Sequence, residues 1–430
     1  AGNTTAPGAA SMRHVPSNNV KIMRRRKACI EATQVLHELT WNISVRRGNV
    51  FSQALGIGVT LYLAHVSDFT KLNEGVWADV WKHHGFMITF EGLLSAAGKE
   101  LGMIEDASVG IAMLRSVSVV IRPENHDDGN VGGRVPVPES PYIVWLNIIP
   151  SGTGETTRFL VEVGVDVKFY RERIPVPLQN GNPVRFYPIL YQMGVDIRQW
   201  GANAGANMSR GRRPSATASD SENEIDKDDS SHANQQHDVL KALNYEAFRK
   251  MNAYAHSVVP CDASPSDVTP SWEQAHESQQ QILLAIHPSL APLFEYIRSS
   301  AGKMEHGILD EAATAAARLG GGSAIFCKSG KDRTAMQVTY KQAQFVSRLM
   351  KNRGDGFGTV MDKEQVMKDA TTMRVYGTRL PICEKNVGQA MFAFNSLQSR
   401  FMPDMLKPPP RTLAGFLKGG RVFSKGGIES

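Results

Sequence analysis

A short segment around residue 327 constrains the fold of this chain more than any other part of the sequence. The run Ser323–Phe326 is short and largely apolar, which indicates a buried strand, and Cys327 follows it directly. Arg333 stands six positions after Cys327, and apolar residues recur every three or four positions over 336–350, which predicts a helix beginning near Thr334. The segment therefore predicts a strand, a tight loop and a helix in succession, a unit typical of α/β folds.

A Cys-x5-Arg loop in this position suits cysteine-dependent hydrolysis of phosphate esters. The loop backbone can present its N–H groups to an anion, and the helix N-terminus adds partial positive charge. The same field favours the thiolate of Cys327, the form that acts as a nucleophile. Arg333 can hold two phosphate oxygens with its planar guanidinium, Gly330 permits unusual backbone torsions, and Ser329 contributes to the phosphate-binding loop.

Two lysines in the same loop, Lys328 and Lys331, bear on the substrate. A phosphotyrosine or phosphoserine pocket does not need them, whereas a ligand with several phosphates brings charge that must be balanced. We therefore expect an inositol phosphate or phosphoinositide. The alternative, a buried structural cysteine with Arg333 in a helix cap, leaves both lysines unexplained. A nucleotide-binding P-loop is excluded because Ile325 stands where its first glycine is required.

The leaving hydroxyl group needs a proton, and Asp332 is the nearest carboxylate in the sequence. We consider Asp332 as general acid, or alternatively as a residue that holds the loop by accepting backbone N–H bonds. Other carboxylates lie at unknown distance and remain alternatives: Glu305, Asp310 and Asp355. Thr334 is expected to hydrogen-bond the thiolate or to help position water.

Composition sets broad limits on the function. The chain has 430 residues and a formal net charge of +6, which permits an anionic partner, and no nucleic-acid partner is predicted. Its four cysteines, Cys29, Cys261, Cys327 and Cys383, are far apart, so neither a disulfide framework nor a metal site is predicted, and a reducing compartment is expected. The longest apolar run, 54–66, is shorter than the roughly 18 residues of a membrane-spanning helix.

The pattern along the chain predicts four regions. Residues 1–20 are expected to be disordered and 21–114 mainly helical, beginning with a basic cluster over 21–27 that is a solvated helix face or a phosphate or lipid contact. Residues 115–412 would form the phosphatase domain, interrupted by an acidic, disordered insertion over 209–238. Residues 413–430 would be a flexible basic tail. The predicted fold class is α/β, with a central sheet flanked by helices.

The loop sequence CKSGKDRT at 327–334 resembles the CKSAKDRT loop of the inositol polyphosphate 4-phosphatases, with Gly330 in place of Ala. The same loop also resembles that of bacterial phosphoinositide phosphatase effectors. Likeness to the 4-phosphatases extends over roughly residues 85–412. The similar segments are 92–106, 186–195, 244–248 and 385–398.

The resemblance implies a cysteine-phosphatase fold and removal of the 4-phosphate of phosphatidylinositol 3,4-bisphosphate, with inositol 3,4-bisphosphate as a second candidate substrate. By this resemblance Cys327 is the nucleophile, Arg333 binds the phosphate, and Lys328 and Lys331 face the inositol phosphates. We expect a cytoplasmic enzyme without a cofactor, acting at a peripheral anionic membrane surface. The alternatives are a dual-specificity or protein tyrosine phosphatase and an inactive phosphoinositide-binding scaffold.

Overall fold

A computed structural model gives the fold of most of the chain. The residues it describes are 14–69, 76–96, 99–124, 133–138, 140, 142–152, 157–193, 225–259, 286–300, 305–352, 362–395, 402–415, 417–418 and 421–422.

Eleven α-helices lie in the described part of the chain. In chain order, α1 to α11 are His14–Phe69, Val76–His84, Lys99–Ala112, Val167–Arg173, Val176–Gln179, Ile225–Val258, Ala291–Ser300, His306–Arg318, Asp332–Asn352, Lys363–Tyr376 and Arg379–Val387. Local sequence explains several starts. Asp166 caps α4 and Asp362 caps α10, each by accepting backbone N–H bonds from the first helical turn.

Eleven strands occupy the same described ranges. In chain order, β1 to β11 are Phe86–Gly92, Val117–Pro123, Val135–Pro136, Ile143–Ser151, Arg158–Val165, Val184–Gln192, Gly322–Phe326, Phe392–Asn395, Leu413–Gly415, Leu417–Lys418 and Arg421–Val422. The first seven form one mixed sheet in the order β3-β4-β5-β2-β6-β1-β7. Strand β1 is parallel to both of its neighbours, β6 and β7.

The sheet is covered by helices on both faces, which confirms the predicted α/β class. Alternate residues of β1 point into different cores: Phe86, Ile88 and Phe90 pack with residues of α1 to α3. Met87 points to the opposite face and packs with residues of α6 to α9. Because every residue of β1 is buried, this strand lies at the centre of the molecule.

The described part of 21–114 is mainly helical, as expected, and strand β1 is the exception within it. Its sequence is an almost continuous apolar run, and periodicity cannot separate such a strand from a buried helix. Residues 93–96 form a loop, and α3 begins only at Lys99. The central sheet therefore takes in residues on both sides of the predicted boundary at 114.

Helix α1 begins at His14, within the stretch of 1–20 that was expected to be disordered. Within the described residues, its segment Val20–Ser67 is long and apolar enough to cross a membrane by length and composition alone, although the longest uninterrupted apolar run had not indicated a span. Core helices meet the same criterion, and Leu55, Tyr62 and Val66 of this segment are buried against the sheet.

Parts of two segments that were expected to be disordered or flexible, 209–238 and 413–430, have regular secondary structure. Helix α6 begins at Ile225, so residues 225–238 of the acidic segment are helical, whereas 209–224 lie outside the described residues. In the predicted tail, β9 pairs in parallel with β8. The sequence could not indicate this pairing because each strand is only a few residues long.

Candidate active site

The Cys-x5-Arg loop lies at the carboxyl ends of the parallel strands β1 and β7. Strand β7 ends at Phe326, Cys327 follows, and α9 begins at Asp332, two residues before the predicted start at Thr334. The backbone N–H of Leu93 donates to the carbonyl of Phe326 over 2.9 Å, which ties the end of β1 to the residue before Cys327. The loop therefore joins the central sheet to the N-terminus of a 21-residue helix.

Cys327 is half-buried, and its sulfur accepts a hydrogen bond within its own loop. The hydroxyl of Thr334 donates to Cys327 Sγ over 3.1 Å. Thr334 is itself buried, in the first turn of α9. A donor directed at the sulfur from a helix N-terminus stabilises negative charge on that sulfur, so the arrangement suits a thiolate.

The other described cysteines lack this environment. Cys29 is exposed on α1, and Cys383 is buried on α11. Burial raises the pKa of the Cys383 thiol to about 11, so this thiol stays protonated at neutral pH. Cys261 lies outside the described residues.

The guanidinium of Arg333 is held by a carboxylate that is distant in the sequence. Nη1 donates to Glu100 Oε2 over 2.7 Å and to the Leu93 carbonyl over 2.8 Å, and Nη2 donates to Glu100 Oε1 over 2.9 Å. These bonds use three of the five N–H donors of an arginine. The remaining donors, on Nε and Nη2, lie on one edge of the guanidinium and form a fork that matches two phosphate oxygens.

The Glu100–Arg333 pair keeps both groups charged. Burial alone would lower the pKa of Arg333, but its hydrogen bonds to Glu100 outweigh burial and raise that pKa. Burial alone would raise the pKa of Glu100, but Arg333, the Ser95 backbone N–H and Lys328 together lower it. The Ser95 N–H donates to Glu100 over 2.7 Å, so the carboxylate is fixed to the β1–α3 loop as well.

Gly330 lies at the tip of the loop and has the unusual backbone torsion expected of it. Gly330 has a φ of +67°, in the left-handed region that disfavours side chains, and the space around its Cα is open. Lys328 and Ser329 beside it are exposed. Lys328 is thus placed where an approaching anionic ligand can meet its charge.

Lys331 and Asp332 are placed differently from Lys328. Lys331 is only 2% exposed, so it is buried within the loop instead of facing solvent as Lys328 does. Its Nζ lies 3.5 Å from Asp332 Oδ2. Asp332 Oδ1 accepts the backbone N–H of Ala393 over 2.8 Å. Asp332 therefore accepts one hydrogen bond and faces the buried Lys331 ammonium, which matches the holding role, while its predicted role as general acid stays a prediction.

The alternative carboxylates make contacts of their own. Glu305 caps α8 by accepting the Gly307 N–H over 3.0 Å. Asp310 lies 3.3 Å from His306 Nδ1 and accepts a hydrogen bond from Gln337. Asp355 lies outside the described residues. Within the described ranges, neither Glu305 nor Asp310 has a contact that directs it to Cys327.

Glu100 is the functional residue that the sequence pattern did not identify. It stands 233 positions before Arg333, and pairing over such a separation leaves no periodic signal. The one available indication was that Glu100 falls within the similar segment 92–106.

Together, a sheet flanked by helices and a Cys-x5-Arg loop between an edge strand and a helix define an α/β phosphatase-like domain. Comparison with known families agrees with this class. The chain belongs to the family described as the INPP4A C-terminal domain, which matches residues 27–209 and 234–406.

Curated relatives of the chain are moderately similar to it. It is 26% identical over 384 residues to the human protein named inositol polyphosphate 4-phosphatase type II, which covers 88% of this chain. The proteins named type II inositol 3,4-bisphosphate 4-phosphatase from Pongo abelii and Rattus norvegicus are 26% and 25% identical. The chain spans about a third of the length of these relatives, 34% in each case.

Proposed function

We propose that this chain is the catalytic region of a phosphoinositide 4-phosphatase that acts on phosphatidylinositol 3,4-bisphosphate through a cysteinyl-phosphate intermediate. The observation that carries the proposal is the geometry of one loop. The Cys327 sulfur accepts a hydrogen bond from Thr334 there. Arg333, which has two available donors on one edge, interacts electrostatically with Cys327. The names of the curated relatives support an inositol 3,4-bisphosphate group as substrate and its 4-phosphate as the group removed. The lipid form of the substrate is suggested by the resemblance of the loop sequence.

In the first step, Cys327 Sγ attacks the phosphorus atom and the bond to the inositol oxygen breaks. The Nε–H and Nη2–H of Arg333 bind two non-bridging oxygens, whose charge they stabilise as the transition state forms. Glu100 keeps the guanidinium in position for this contact. The leaving inositol oxygen takes up a proton, either from water or from Asp332, the general-acid candidate of the sequence.

In the second step, water attacks the phosphorus of the cysteinyl phosphate and the P–S bond breaks. Inorganic phosphate is released, and Cys327 leaves as a thiolate. The Thr334 hydroxyl, which donates to Sγ, stabilises the sulfur as its negative charge returns.

The charges at the loop support a substrate with more than one phosphate. Exposed Lys328 and half-buried Arg333 lie at the loop, and Lys328 contributes to lowering the Glu100 pKa, so its charge acts within the site. We propose that Lys328 contacts a second ring phosphate. A lipid substrate also requires that the protein meet an anionic membrane surface from the cytoplasmic side, where positive charge favours binding.

A substrate panel tests the proposal. Phosphate release is measured for the phosphatidylinositol bisphosphates, for inositol 3,4-bisphosphate and for phosphotyrosine and phosphoserine peptides, with wild type and Cys327→Ser. We expect phosphatidylinositol 3,4-bisphosphate to be preferred and Cys327→Ser to release no phosphate above background. Cys383→Ser is the matched control and should retain activity if it folds. Preference for phosphopeptides would indicate a protein phosphatase, and lipid binding without phosphate release would indicate a scaffold.

A further inference from the structure

A concave cationic region lies away from the Cys327 loop. It is a cavity of about 760 Å³, within the range of small-ligand sites. Its described lining contains several lysines and arginines and no aspartate or glutamate. The cations are Lys82, Arg115, Arg185, Arg249 and Lys250.

The cavity and Cys327 lie at opposite ends of the parallel strands of the sheet. Strands β1 and β6 are parallel, and the lining residues Gly85 and Phe186 lie at their amino-terminal ends. Cys327 follows the carboxyl end of β7, which is parallel to β1. A seven-residue strand spans roughly 20 Å, so the cavity and the loop are separate places on the molecule.

The cations converge from four elements. Lys82 lies in the last turn of α2, where positive charge complements the helix dipole whether or not a ligand binds. That explanation does not extend to Arg115 in the 3₁₀ turn before β2, to Arg185 on β6, or to Arg249 and Lys250 on α6. Like charges brought together from separate elements repel one another unless an anion lies between them.

Little of this charge is neutralised by the protein. Glu246 pairs with Arg249 over 2.8 Å and with Lys250 over 3.2 Å. Within the described ranges, Lys82, Arg115 and Arg185 form no ion pair. A concavity with several unbalanced positive charges raises the local positive potential and attracts anions.

The walls of the cavity are held together by hydrogen bonds and ring contacts. The Tyr187 hydroxyl donates to the Lys250 carbonyl over 3.1 Å, which fixes α6 to β6. The Arg115 guanidinium lies over the Tyr187 ring, 5.8 Å from its centroid. Tyr254 donates to the Gly85 carbonyl over 2.9 Å. The cations are therefore mounted on a fixed frame, which lowers the entropic cost of binding a ligand.

We propose that this cavity is a second anion-binding site, which takes a compact polyanion with two or more phosphates, such as a phosphorylated inositol ring. A single phosphate would engage only part of the charge, and cations that converge on one cavity from four elements suit a compact ligand better than an extended polymer. The ring can be a free inositol phosphate or the headgroup of a lipid, because the cations would recognise the same phosphates. The site does not depend on whether Cys327 is the nucleophile.

Calorimetric titration of the full chain with inositol hexakisphosphate tests the site, in a Cys327→Ser background that prevents turnover. The cavity variant is Arg115→Glu/Arg185→Glu, and the control is Arg298→Glu/Lys363→Glu, which reverses two exposed charges outside the cavity. We expect the background protein to bind at two sites and the cavity variant to weaken one of them at least tenfold. The control should match the background. An unchanged isotherm for the cavity variant would overturn the proposal.

Two additional arms make the result decisive. Arg115 and Arg185 are exposed, so their reversal is expected to leave the fold intact, and circular dichroism checks this. If that variant does not fold, Lys82→Ala/Lys250→Ala takes its place, with the same expected tenfold weakening of one site. Vesicles with phosphatidylinositol 3,4-bisphosphate, compared with phosphatidylserine vesicles of equal charge, distinguish a lipid headgroup from a free ring as the source. Equal, cavity-dependent binding of a single-stranded oligonucleotide and inositol hexakisphosphate would overturn the compact-ligand assignment.

Discussion

At the scale of single residues, the site depends on how Arg333 is oriented. An arginine side chain has many rotamers, and a phosphate-binding fork is effective only if the guanidinium is already in place. Glu100 provides this by accepting two of its N–H groups, and the Leu93 carbonyl accepts a third. We therefore infer that Glu100 is a positioning residue, which acts on phosphate through Arg333 in the proposed mechanism.

Replacing Glu100 by glutamine should weaken catalysis without unfolding the protein. A hydrogen bond to a charged group contributes about 1.5–3 kcal/mol, so we expect kcat/KM to fall roughly 10- to 100-fold. Vanadate, an anion that occupies phosphate sites, should inhibit the variant less strongly by a similar factor. Glu105→Gln, at an exposed position on the same helix, is the control. Unchanged vanadate inhibition in Glu100→Gln would contradict the positioning role.

Substrates with different leaving groups can distinguish whether Asp332 acts as a general acid or only holds the loop. A general acid matters most when the leaving group is a poor one, as an inositol hydroxyl is, and least for p-nitrophenol. Asp332 accepts the Ala393 N–H and lies near Lys331, as a residue that holds the loop would. We therefore expect Asp332→Asn to reduce the rates on phosphatidylinositol 3,4-bisphosphate and on p-nitrophenyl phosphate by a similar, modest factor. Steady-state rates on both substrates provide the measurement. A loss of roughly 100-fold or more on the lipid alone would instead establish the general acid.

At the scale of secondary-structure elements, a buried polar cluster joins α8 to α9. His306 Nδ1 lies 3.3 Å from Asp310, and its Nε2 is 2.5 Å from the Gln337 side-chain oxygen. Lys341, also on α9, pairs with buried Glu91 on β1. These contacts fix helix α9, which begins at the Cys327 loop, to the central strand β1. They are strong only while the partners keep their charges.

The cluster predicts a pH dependence of stability. Burial alone would lower the pKa of His306, but Asp310 outweighs burial and raises it above its ordinary value. The pair therefore contributes fully below the ordinary histidine value of about 6.5 and is lost as pH rises through the higher folded value. Urea unfolding across this range should show the free energy of unfolding falling with rising pH.

His306→Gln should remove that component of the pH dependence, whereas exposed His37→Gln should leave it in place. If the His306→Gln variant loses free energy of unfolding with rising pH as steeply as wild type, the cluster is not responsible.

The elements that sequence alone could predict are those with local signals. Strand β7, the loop and α9 were identified because a short apolar run, a Cys-x5-Arg spacing and a helical period follow one another. Strand β1 was missed because its apolar run has no clear period, and the start of α6 because its residues are acidic and polar. In both cases long-range context decides the structure.

At the scale of the whole molecule, the two ends of the parallel strands β1, β6 and β7 differ in their chemistry. Their carboxyl ends carry the Cys327 loop, and the amino ends of β1 and β6 adjoin the cationic cavity. The mild net charge of +6 does not reveal this arrangement. The sequence indicated a polyphosphate substrate from the lysines of the loop, but the cations of the cavity come from distant positions and converge only in the fold.

The most direct test of the central claim is identification of the product formed from phosphatidylinositol 3,4-bisphosphate. Wild-type protein and Cys327→Ser are incubated with the lipid, and the deacylated products are separated by chromatography against standards. We predict phosphatidylinositol 3-phosphate and free phosphate in equal amounts with wild type, and unchanged substrate with Cys327→Ser. Formation of phosphatidylinositol 4-phosphate, or equal turnover by Cys327→Ser, would contradict the account.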